Sequence, residues 1–264
     1  MLRILFLGDI VGQCGRKAVM ARLPDLKRER EIDFAIVNGE NSAGGRGITP
    51  KIAIDLLRAG AAVVTTGDHV WDQPDLIPYL PTEPRVLRPL NYPEDTPGFG
   101  SVVLETKKGK VGVINAQGRT FMRQELENPF LMIGAEVARM REETPIIFVD
   151  FHAETTSEKH AMGRHLDGSV SAMVGTHTHV QTADEQVFPG GTAFLCDAGM
   201  CGSADSVIGS TPESVLKRFV TAMPTKFILA KSNIRLHGAI IDVDETTGKA
   251  IQIERLVEDF VQPA

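Results

Sequence analysis

Short apolar runs recur along this chain, and each ends in acidic, amide or histidine residues. The run over residues 4–7, for example, leads directly into Gly8-Asp9. Short runs rich in Ile, Val and Phe and bounded by turn residues are typical of buried strands. The polar residues that follow these runs are Asp9, Glu40, Asn41, Asp68, His69, Asp150, His152, His177 and His179. The pattern predicts a sheet that gathers ligand-type side chains at its strand ends.

The first half of the chain alternates such runs with helical patterns. We predict strands near residues 3–8, 33–38 and 62–66, and helices near 15–30 and 50–59. This alternation is typical of parallel strand–helix–strand units. Ligands of parallel sheets bind beyond the carboxyl ends of the strands, which is where the polar residues fall.

The second half predicts further strands and an insertion. Residues 74–97 are rich in proline, and residues 100–115 predict two strands around a Lys-Lys-Gly-Lys turn, which we interpret as an antiparallel insertion. The other predicted elements are a helix over 128–142 and strands over 145–150, 170–174, 192–196, 228–243 and 250–256. Together they predict an α/β fold, an α+β sandwich of two mixed β-sheets packed face to face and flanked by helices, in one domain over residues 1–264.

Charge and cysteine content narrow the classes of partner. The 264 residues carry a net charge of -6 with acids and bases interspersed, so a basic stripe for duplex DNA is excluded. Three cysteines, Cys14, Cys196 and Cys201, are an odd number in a chain too large to need disulfides. We expect Cys196 and Cys201 to be buried thiols rather than zinc ligands. No signal peptide or membrane-length apolar stretch is visible. We therefore expect a cytoplasmic protein without a membrane partner.

The spacing of His177 and His179, one residue apart at a predicted strand end, is that of metal ligands. Carboxylate and amide oxygens combined with imidazole nitrogens suit Mn, Fe or Zn, and more than four such groups indicate two ions. Paired ions lie about 3.5 to 4 Å apart and support in-line displacement at phosphorus. The residues therefore indicate phosphoester hydrolysis.

The motifs as a set resemble a known group over nearly the whole chain. They are Gly8-Asp9-Ile10-Val11-Gly12 with Gly15-Arg16, residues 38–45, Gly67-Asp68-His69-Val70-Trp71-Asp72, residues 150–154, Leu166-Asp167-Gly168, residues 175–184 and Asp197-Ala198-Gly199-Met200. The chain resembles the calcineurin-like metallophosphoesterases, and within them the YmdB-like bacterial cyclic-nucleotide phosphodiesterases.

This resemblance implies two ion sites that share Glu40 as a bridge. The ligands it implies for one ion are Asp9, Asn41 and His179. The ligands it implies for the other are Asp68, His152 and His177. His69 would bind no metal and would face the leaving oxygen as general acid or electrostatic partner, a role suited to an imidazole because its ordinary pKa lies near neutrality.

Two positions depart from the wider pattern. Val11 stands where the superfamily usually has a histidine, as is usual in this subgroup, and this opens one coordination shell that Asn41 can fill. Asp68 stands where the motif normally has asparagine. Three carboxylates then face two ions, and we hypothesise that Asp68 favours a pair containing Fe(III).

The resemblance implies a metal-dependent phosphodiesterase that converts 2',3'-cyclic nucleotides to 3'-nucleotides through a metal-bridging hydroxide. Fe and Mn are the expected ions, with Zn also compatible. Alternatives with the same fold are a 3',5'-cyclic phosphodiesterase, a 5'-nucleotidase or other phosphomonoesterase, and a protein phosphatase. A different class would be a regulatory protein that binds nucleotide or RNA with negligible turnover. The expected partners are a small phosphodiester, short RNA as a further candidate, and a second copy of the chain.

Several other residues have competing interpretations. Arg46 follows a glycine-rich stretch near Glu40 and is a candidate for binding substrate phosphate, with Arg119 a weaker one. We interpret His160 and His165 as surface residues of a helix and His237 as structural. Three acids either orient ligating histidines or serve as caps and turn residues: Asp72, Asp150 and Asp167.

Overall fold

A computed structural model describes residues 1–261 of the chain. The first of its two sheets has seven strands: β1 Leu2–Leu7, β2 Asp9–Ile10, β3 Phe34–Asn38, β4 Val63–Thr65, β11 Met200–Ser203, β12 Ile234–Val243 and β13 Ala250–Phe260. Their order is β2-β11-β12-β1-β3-β4, with β13 paired to β12. Strands β1, β3 and β4 are parallel, whereas β12 runs antiparallel to β1.

The second sheet has six strands: β5 Ser101–Thr106, β6 Gly109–Gln117, β7 Ile147–His152, β8 Ala172–Thr176, β9 Gln186–Val187 and β10 Ala193–Leu195. Their order is β5-β6-β7-β8-β10-β9. The strands β6, β7, β8 and β10 are parallel, and the two edge strands are antiparallel to their neighbours. Both sheets are therefore mixed, as predicted.

Five α-helices flank the sheets: α1 Gly12–Glu29, α2 Pro50–Arg58, α3 Pro129–Met140, α4 Thr156–His165 and α5 Pro212–Thr221. Two short 3₁₀ helices, Pro74–Leu76 and Leu80–Thr82, occupy the proline-rich stretch. The start of α2 shows the local chemistry, because the Thr49 side chain accepts a hydrogen bond from the Ile52 amide and Pro50 occupies the first turn. No helix among residues 1–261 is long and apolar enough to span a bilayer.

The core has three layers. Side chains alternate along β1, so that Ile4 and Phe6 pack between the sheets while Leu5 and Leu7 pack beneath α1 and α2. The rings of Phe6 and Phe148, one from each sheet, have centroids 5.1 Å apart in the central layer. A third layer lies between the second sheet and helices α3 and α4. Burial on both faces explains why these strands read as continuous apolar runs.

Most predicted elements are confirmed within a few residues, and the exceptions have physical reasons. The hairpin of β5 and β6 is antiparallel as predicted, but the interpretation as an insertion is wrong. Strand β6 also pairs in parallel with β7 and is buried over most of its length, so it belongs to the second sheet. The strand predicted from residue 228 begins at Ile234, because the preceding residues form a loop that pairs with Ser210 instead.

Candidate metal centre

The predicted ligands lie where the parallel strands of both sheets end. Asp9 lies in β2, just after β1, and His152 is the last residue of β7. Glu40 and Asn41 follow β3, Asp68 and His69 follow β4, and the two other histidines follow β8. The fold brings these side chains together in two groups, which are joined by a buried glutamate.

One group consists of Asp68, His152 and His177. His152 Nε2 lies 3.1 Å from Asp68 Oδ1, and His177 Nδ1 lies 3.0 Å from that same His152 nitrogen. His177 Nδ1 is also 3.5 Å from Asp68 Oδ1. Three potential ligand atoms therefore converge on one point, as around an ion.

The hydrogen-bond partners of His152 and His177 determine which ring nitrogen carries the proton. Thr176 donates its hydroxyl hydrogen to Asp150 at 2.8 Å, so the Thr176 oxygen accepts from His152 Nδ1 at 2.9 Å. His177 Nε2 lies 3.0 Å from the Glu154 carboxylate and is assigned as its donor. This leaves lone pairs on His152 Nε2 and His177 Nδ1, facing the Asp68 carboxylate with no proton between them. Such an arrangement is satisfied by a cation.

A second group consists of Asn41, His179 and Asp9. His179 Nδ1 contacts the Ile208 carbonyl oxygen at 3.0 Å and must donate to it, which leaves a lone pair on Nε2. Asn41 Nδ2 donates to the Gly45 carbonyl at 3.2 Å, and this turns Asn41 Oδ1 towards His179 Nε2, 3.2 Å away. Asp9 Oδ1 lies 4.0 Å from the same nitrogen. Again only acceptors face one another.

The carboxylates are buried and incompletely paired. Asp9 is 0% exposed and Glu40 is 1% exposed. One oxygen of each, Asp9 Oδ1 and Glu40 Oε2, has no hydrogen-bond partner among the described residues. Burial, and then the charges of Asp68 and Asp9, raise the pKa of Glu40 well above its ordinary value. Buried charges of one sign require compensation, so the residues fit a pair of divalent cations.

Glu40 lies between the two groups. Its Oε1 accepts a hydrogen bond from the His69 amide at 2.5 Å and lies 3.9 Å from His152 Nε2. Its own amide donates to Asn38 Oδ1 at 2.9 Å, which holds the turn after β3 in place. The unpartnered Oε2 is thus available to a cation while Oε1 is anchored.

Asp150 positions residues of the cluster through buried hydrogen bonds. It is fully buried and accepts hydrogen bonds from Asn38, Thr65 and Thr176. Burial raises its pKa to about 7, against the opposing effect of these three donors. Through Asn38 it positions Glu40, and through Thr176 it orients the ring of His152, which supports the first of the two interpretations of this residue. Asp167, in contrast, accepts from the Gly190 amide at 3.0 Å and is a turn residue.

His69 stands at the rim of the cluster. Its Nδ1 lies 3.0 Å from Asp72 Oδ2, and its side chain is 17% exposed. A ring nitrogen of His69 and single oxygens of Glu40 and Asp68 lie within 4.8 Å of one another. Asp72 therefore orients the ring, and the partly open position suits proton exchange with a bound molecule.

The segment that carries the two histidines after β8 is held in an unusual conformation. His177 and His179 have φ angles of 99° and 67°, in a region that costs non-glycine residues energy. Thr178 between them donates both its amide, at 3.1 Å, and its hydroxyl, at 2.7 Å, to Asp197 Oδ2. Lys159 Nζ contacts the same oxygen at 2.6 Å. A buried ion pair thus clamps the strained segment.

Sequence reasoning assigned no role to this ion pair. Asp197 belongs to a motif that carries the resemblance, but a lysine in a charged helical stretch is normally solvent-exposed, so Lys159 gives no signal by itself. Its side chain is 1% exposed because α4 packs against the end of β8.

The side chains of the remaining candidates form no hydrogen bond or ion pair with the cluster within residues 1–261. Arg46 is exposed, and its side chain has no hydrogen bond or ion pair within residues 1–261. The Arg119 amide donates to Glu158 of α4 at 3.0 Å, in a shallow depression between this helix and the loop that carries Arg119. His237 Nδ1 contacts the Met200 carbonyl at 2.9 Å, consistent with a structural role. His165 is exposed, whereas His160 is half-buried and lies 3.2 Å from Asp184.

The cysteines behave as thiols in the described part of the chain. Cys196 and Cys201 are buried and Cys14 is half-buried, and all three are free. Burial raises the pKa of Cys196 to about 11 and that of Cys201 to about 12. Cys196 lies near His160 and Asp184, but an uncharged thiol is a poor metal ligand.

Solved structures share this architecture. A hypothetical protein from Thermus thermophilus superposes with a TM-score of 0.91 at 37% identity, covering 98% of this chain and 99% of that chain. A phosphatase from Mycoplasma pneumoniae superposes with a TM-score of 0.91 at 34% identity, covering 98% and 93%. Two mixed sheets with this cluster at their strand ends define the chain as a metallophosphoesterase.

Sequence comparison narrows the class to a family. The model of the YmdB-like proteins matches residues 5–256, and the chain belongs to this family. A Bacillus subtilis protein named 2',3'-cyclic-nucleotide 2'-phosphodiesterase is 45% identical over 256 residues, which is 97% of each chain. The resemblance stated from the motifs is therefore confirmed.

Proposed function

We propose that this protein is a two-metal phosphodiesterase that hydrolyses 2',3'-cyclic nucleotides to 3'-nucleotides. The observation that carries the proposal is the convergence of two sets of proton-free acceptors on buried, unpartnered carboxylate oxygens. The name of the Bacillus subtilis relative supplies the substrate class, because the motif residues alone favour no particular phosphoester.

The two groups of acceptors would each hold one ion. Asp9, Asn41 and His179 form the first site, and Asp68, His152 and His177 form the second. Glu40 would join them through its free oxygen. When bound, the ions supply charge neutralisation at phosphorus and an activated water for in-line attack. Fe and Mn are the proposed ions, with Zn as an alternative, because mixed oxygen and nitrogen sites accept all three.

The chain's own residues would complete the reaction. His69 in its protonated form donates a proton to the 2'-oxygen as the bond from that oxygen to phosphorus breaks, so the phosphate stays on the 3'-oxygen. Asp72 holds the ring through Nδ1. The Asp150 network keeps the ring of His152 in one orientation, so no reorganisation is needed during the reaction.

The proposal includes a cytoplasmic location. The free cysteines support it, because thiols persist in reducing compartments.

The proposal also includes self-association of the chain. Exposed apolar side chains on α5 and in the loop after it support this: Leu216, Phe219, Val220, Met223 and Ile228. Sedimentation velocity with Phe219→Glu against Phe121→Glu, which changes an equally exposed ring elsewhere, tests this. Dissociation by both variants or by neither would argue against α5 as the interface.

The function is tested by incubating metal-loaded protein with 2',3'-cyclic AMP and separating the product isomers by chromatography. We expect 3'-AMP from the wild-type protein, and none from Glu40→Ala or His69→Ala. His165→Ala, an exposed histidine outside the site, is the matched control and should retain full activity. No turnover with Mn, Fe or Zn would contradict the proposal, and release of 2'-AMP would contradict the assigned leaving oxygen.

A further inference from the structure

A cavity of about 970 Å³ lies beside α1, outside the metal centre. Its wall includes a basic set and an apolar set of side chains. The basic set is Arg16, Lys17 and Lys231, and the apolar set includes Leu229 and Phe260. Its volume is in the range typical of sites for small organic ligands.

The charge of this cavity is the reverse of the charge of the whole chain. No Asp or Glu is among its lining residues, although the chain carries a net charge of -6. Within residues 1–261, neither Lys17 nor Lys231 has an ion pair, and the Arg16 guanidinium donates only to the Ser42 carbonyl, at 3.2 Å. Unpaired cations around a concave surface attract a ligand of opposite charge.

The apolar part of the wall favours a ligand that also has a flat, weakly polar ring. The half-buried ring of Phe260 is available for stacking, and Leu229 supplies an aliphatic surface. Bases stack on aromatic side chains while basic residues contact their phosphates. We propose that this cavity is a second site for a nucleoside phosphate, either a free nucleotide or a nucleotide within an RNA chain. This inference rests on the proposed function for its substrate class.

The cavity wall is directly linked to one group of the metal centre from two sides. Gly44 lines the cavity and lies in the tight loop in which Asn41 Nδ2 donates to the Gly45 carbonyl. In a second segment of the wall, the Ala230 amide donates to the Gly209 carbonyl at 3.0 Å, and the carbonyl of adjacent Ile208 contacts His179. An RNA with a cyclic phosphate at its 3' end would place that end at the metals and an upstream nucleotide in the cavity.

The test uses the metal-loaded protein and a double charge reversal, Lys17→Glu with Lys231→Glu. The matched control reverses two exposed lysines outside the cavity, Lys107→Glu with Lys249→Glu. Cys14 lines the cavity and is half-buried, so its rate of alkylation, followed by mass spectrometry, reports occupancy without turnover. The probes are 3'-AMP and a 5'-phosphorylated trinucleotide that ends in a 2',3'-cyclic phosphate.

For a free nucleotide, 3'-AMP will slow Cys14 alkylation in the wild type and the control but not in the cavity variant. For an RNA chain, the trinucleotide will show a KM about tenfold higher in the cavity variant alone, while the mononucleotide 2',3'-cyclic AMP keeps its wild-type KM. Either result supports the second site and shows whether its ligand is a free nucleotide or part of an RNA chain. If the cavity variant and the control variant show the same Cys14 protection and the same KM for the trinucleotide, the second site is ruled out. Protection of Cys14 in a protein that hydrolyses no phosphodiester would overturn only the proposed function.

Discussion

Lys159 Nζ lies 2.6 Å from Asp197 Oδ2, and each of the two side chains is 1% exposed. The same Asp197 oxygen accepts both hydrogen bonds from Thr178, the residue between two proposed metal ligands. An ion pair in the core therefore sets the geometry of the segment that leaves β8. Its importance lies in position rather than in net stability, because desolvation offsets much of the attraction in a buried pair.

Replacing Lys159 should lower the free energy of unfolding. Lys159→Met leaves the Asp197 charge buried without a cation, and we expect a loss of about 3–5 kcal/mol in the free energy of unfolding. Urea denaturation of the metal-free protein measures it, with Lys107→Met, an exposed lysine, as the control expected to change by less than about 0.5 kcal/mol. A difference of under about 1 kcal/mol between the two variants, the value of a surface pair, would argue against the clamp.

Loss of the threonine hydroxyl should act on metal binding more than on folding. Thr178→Val keeps the backbone bond to Asp197 and removes only the 2.7 Å side-chain bond. We expect a cost of about 1 kcal/mol in unfolding free energy. We also expect the affinity for Mn to fall about tenfold, because the two proposed histidine ligands lose the support of Thr178. Calorimetric titration with Mn measures the affinity. Unchanged affinity relative to Thr156→Val, on the exposed start of α4, would contradict the positioning role.

The first ion site should be separable from the second. Asn41→Leu removes the oxygen that faces His179 Nε2 while leaving Asp68, His152 and His177 intact. We expect the bound metal, measured by elemental analysis after dialysis, to fall from two ions per chain to one. Retention of two ions would show that Asn41 is not a ligand.

The third carboxylate should influence which metals are bound. Asp68 adds its carboxylate to those of Asp9 and Glu40, and all three side chains are buried. Its negative charge should favour an Fe(III)-containing pair, which Mössbauer spectroscopy of protein produced with labelled iron detects. Asp68→Asn should reduce the Fe(III) content. Full activity of the wild-type protein with two divalent ions and no Fe(III) would refute this.

The buried thiols predict a dependence of stability on alkaline pH. An unfolded thiol has a pKa of about 8.5, whereas burial raises the pKa of Cys201 to about 12 in the fold. The folded state therefore retains the proton longer, and stability falls as pH rises from about 8.5 to 12. The decline in unfolding free energy should be shallower in Cys201→Ala than in wild type. Equal slopes, or faster alkylation of Cys201 than of Cys14 at about pH 8, would contradict the shift.

The sheet strands and the predicted ligands could be identified from sequence because each leaves a local signal. Apolar runs marked β1, β3 and β7, and a polar residue at a strand end is unusual enough to notice. Asn41 follows a strand of the first sheet and His179 follows a strand of the second, so the packing of the two sheets explains why residues so distant in sequence meet. The pairing of β6 with β7 left no such signal, since nothing in a hairpin sequence reveals a further neighbour.

The residues that position the proposed metal ligands were harder to predict from sequence. Asp150 could be interpreted as either an orienting acid or a cap until its contacts with Thr65 and Thr176 were seen. Lys159 was missed because its burial depends on how α4 packs, which is a tertiary property. The cavity likewise joins α1 to residues more than two hundred positions later, a distance over which sequence patterns carry no information on proximity.

The proposed pair of metal sites can be tested by a crystal structure of the metal-loaded protein, with diffraction data collected at the iron and manganese absorption edges. We expect two anomalous peaks, one contacting Asn41 and His179 and the other contacting Asp68, His152 and His177, with Glu40 touching both. A single peak, or a peak at His160 and Cys196 instead, would contradict it.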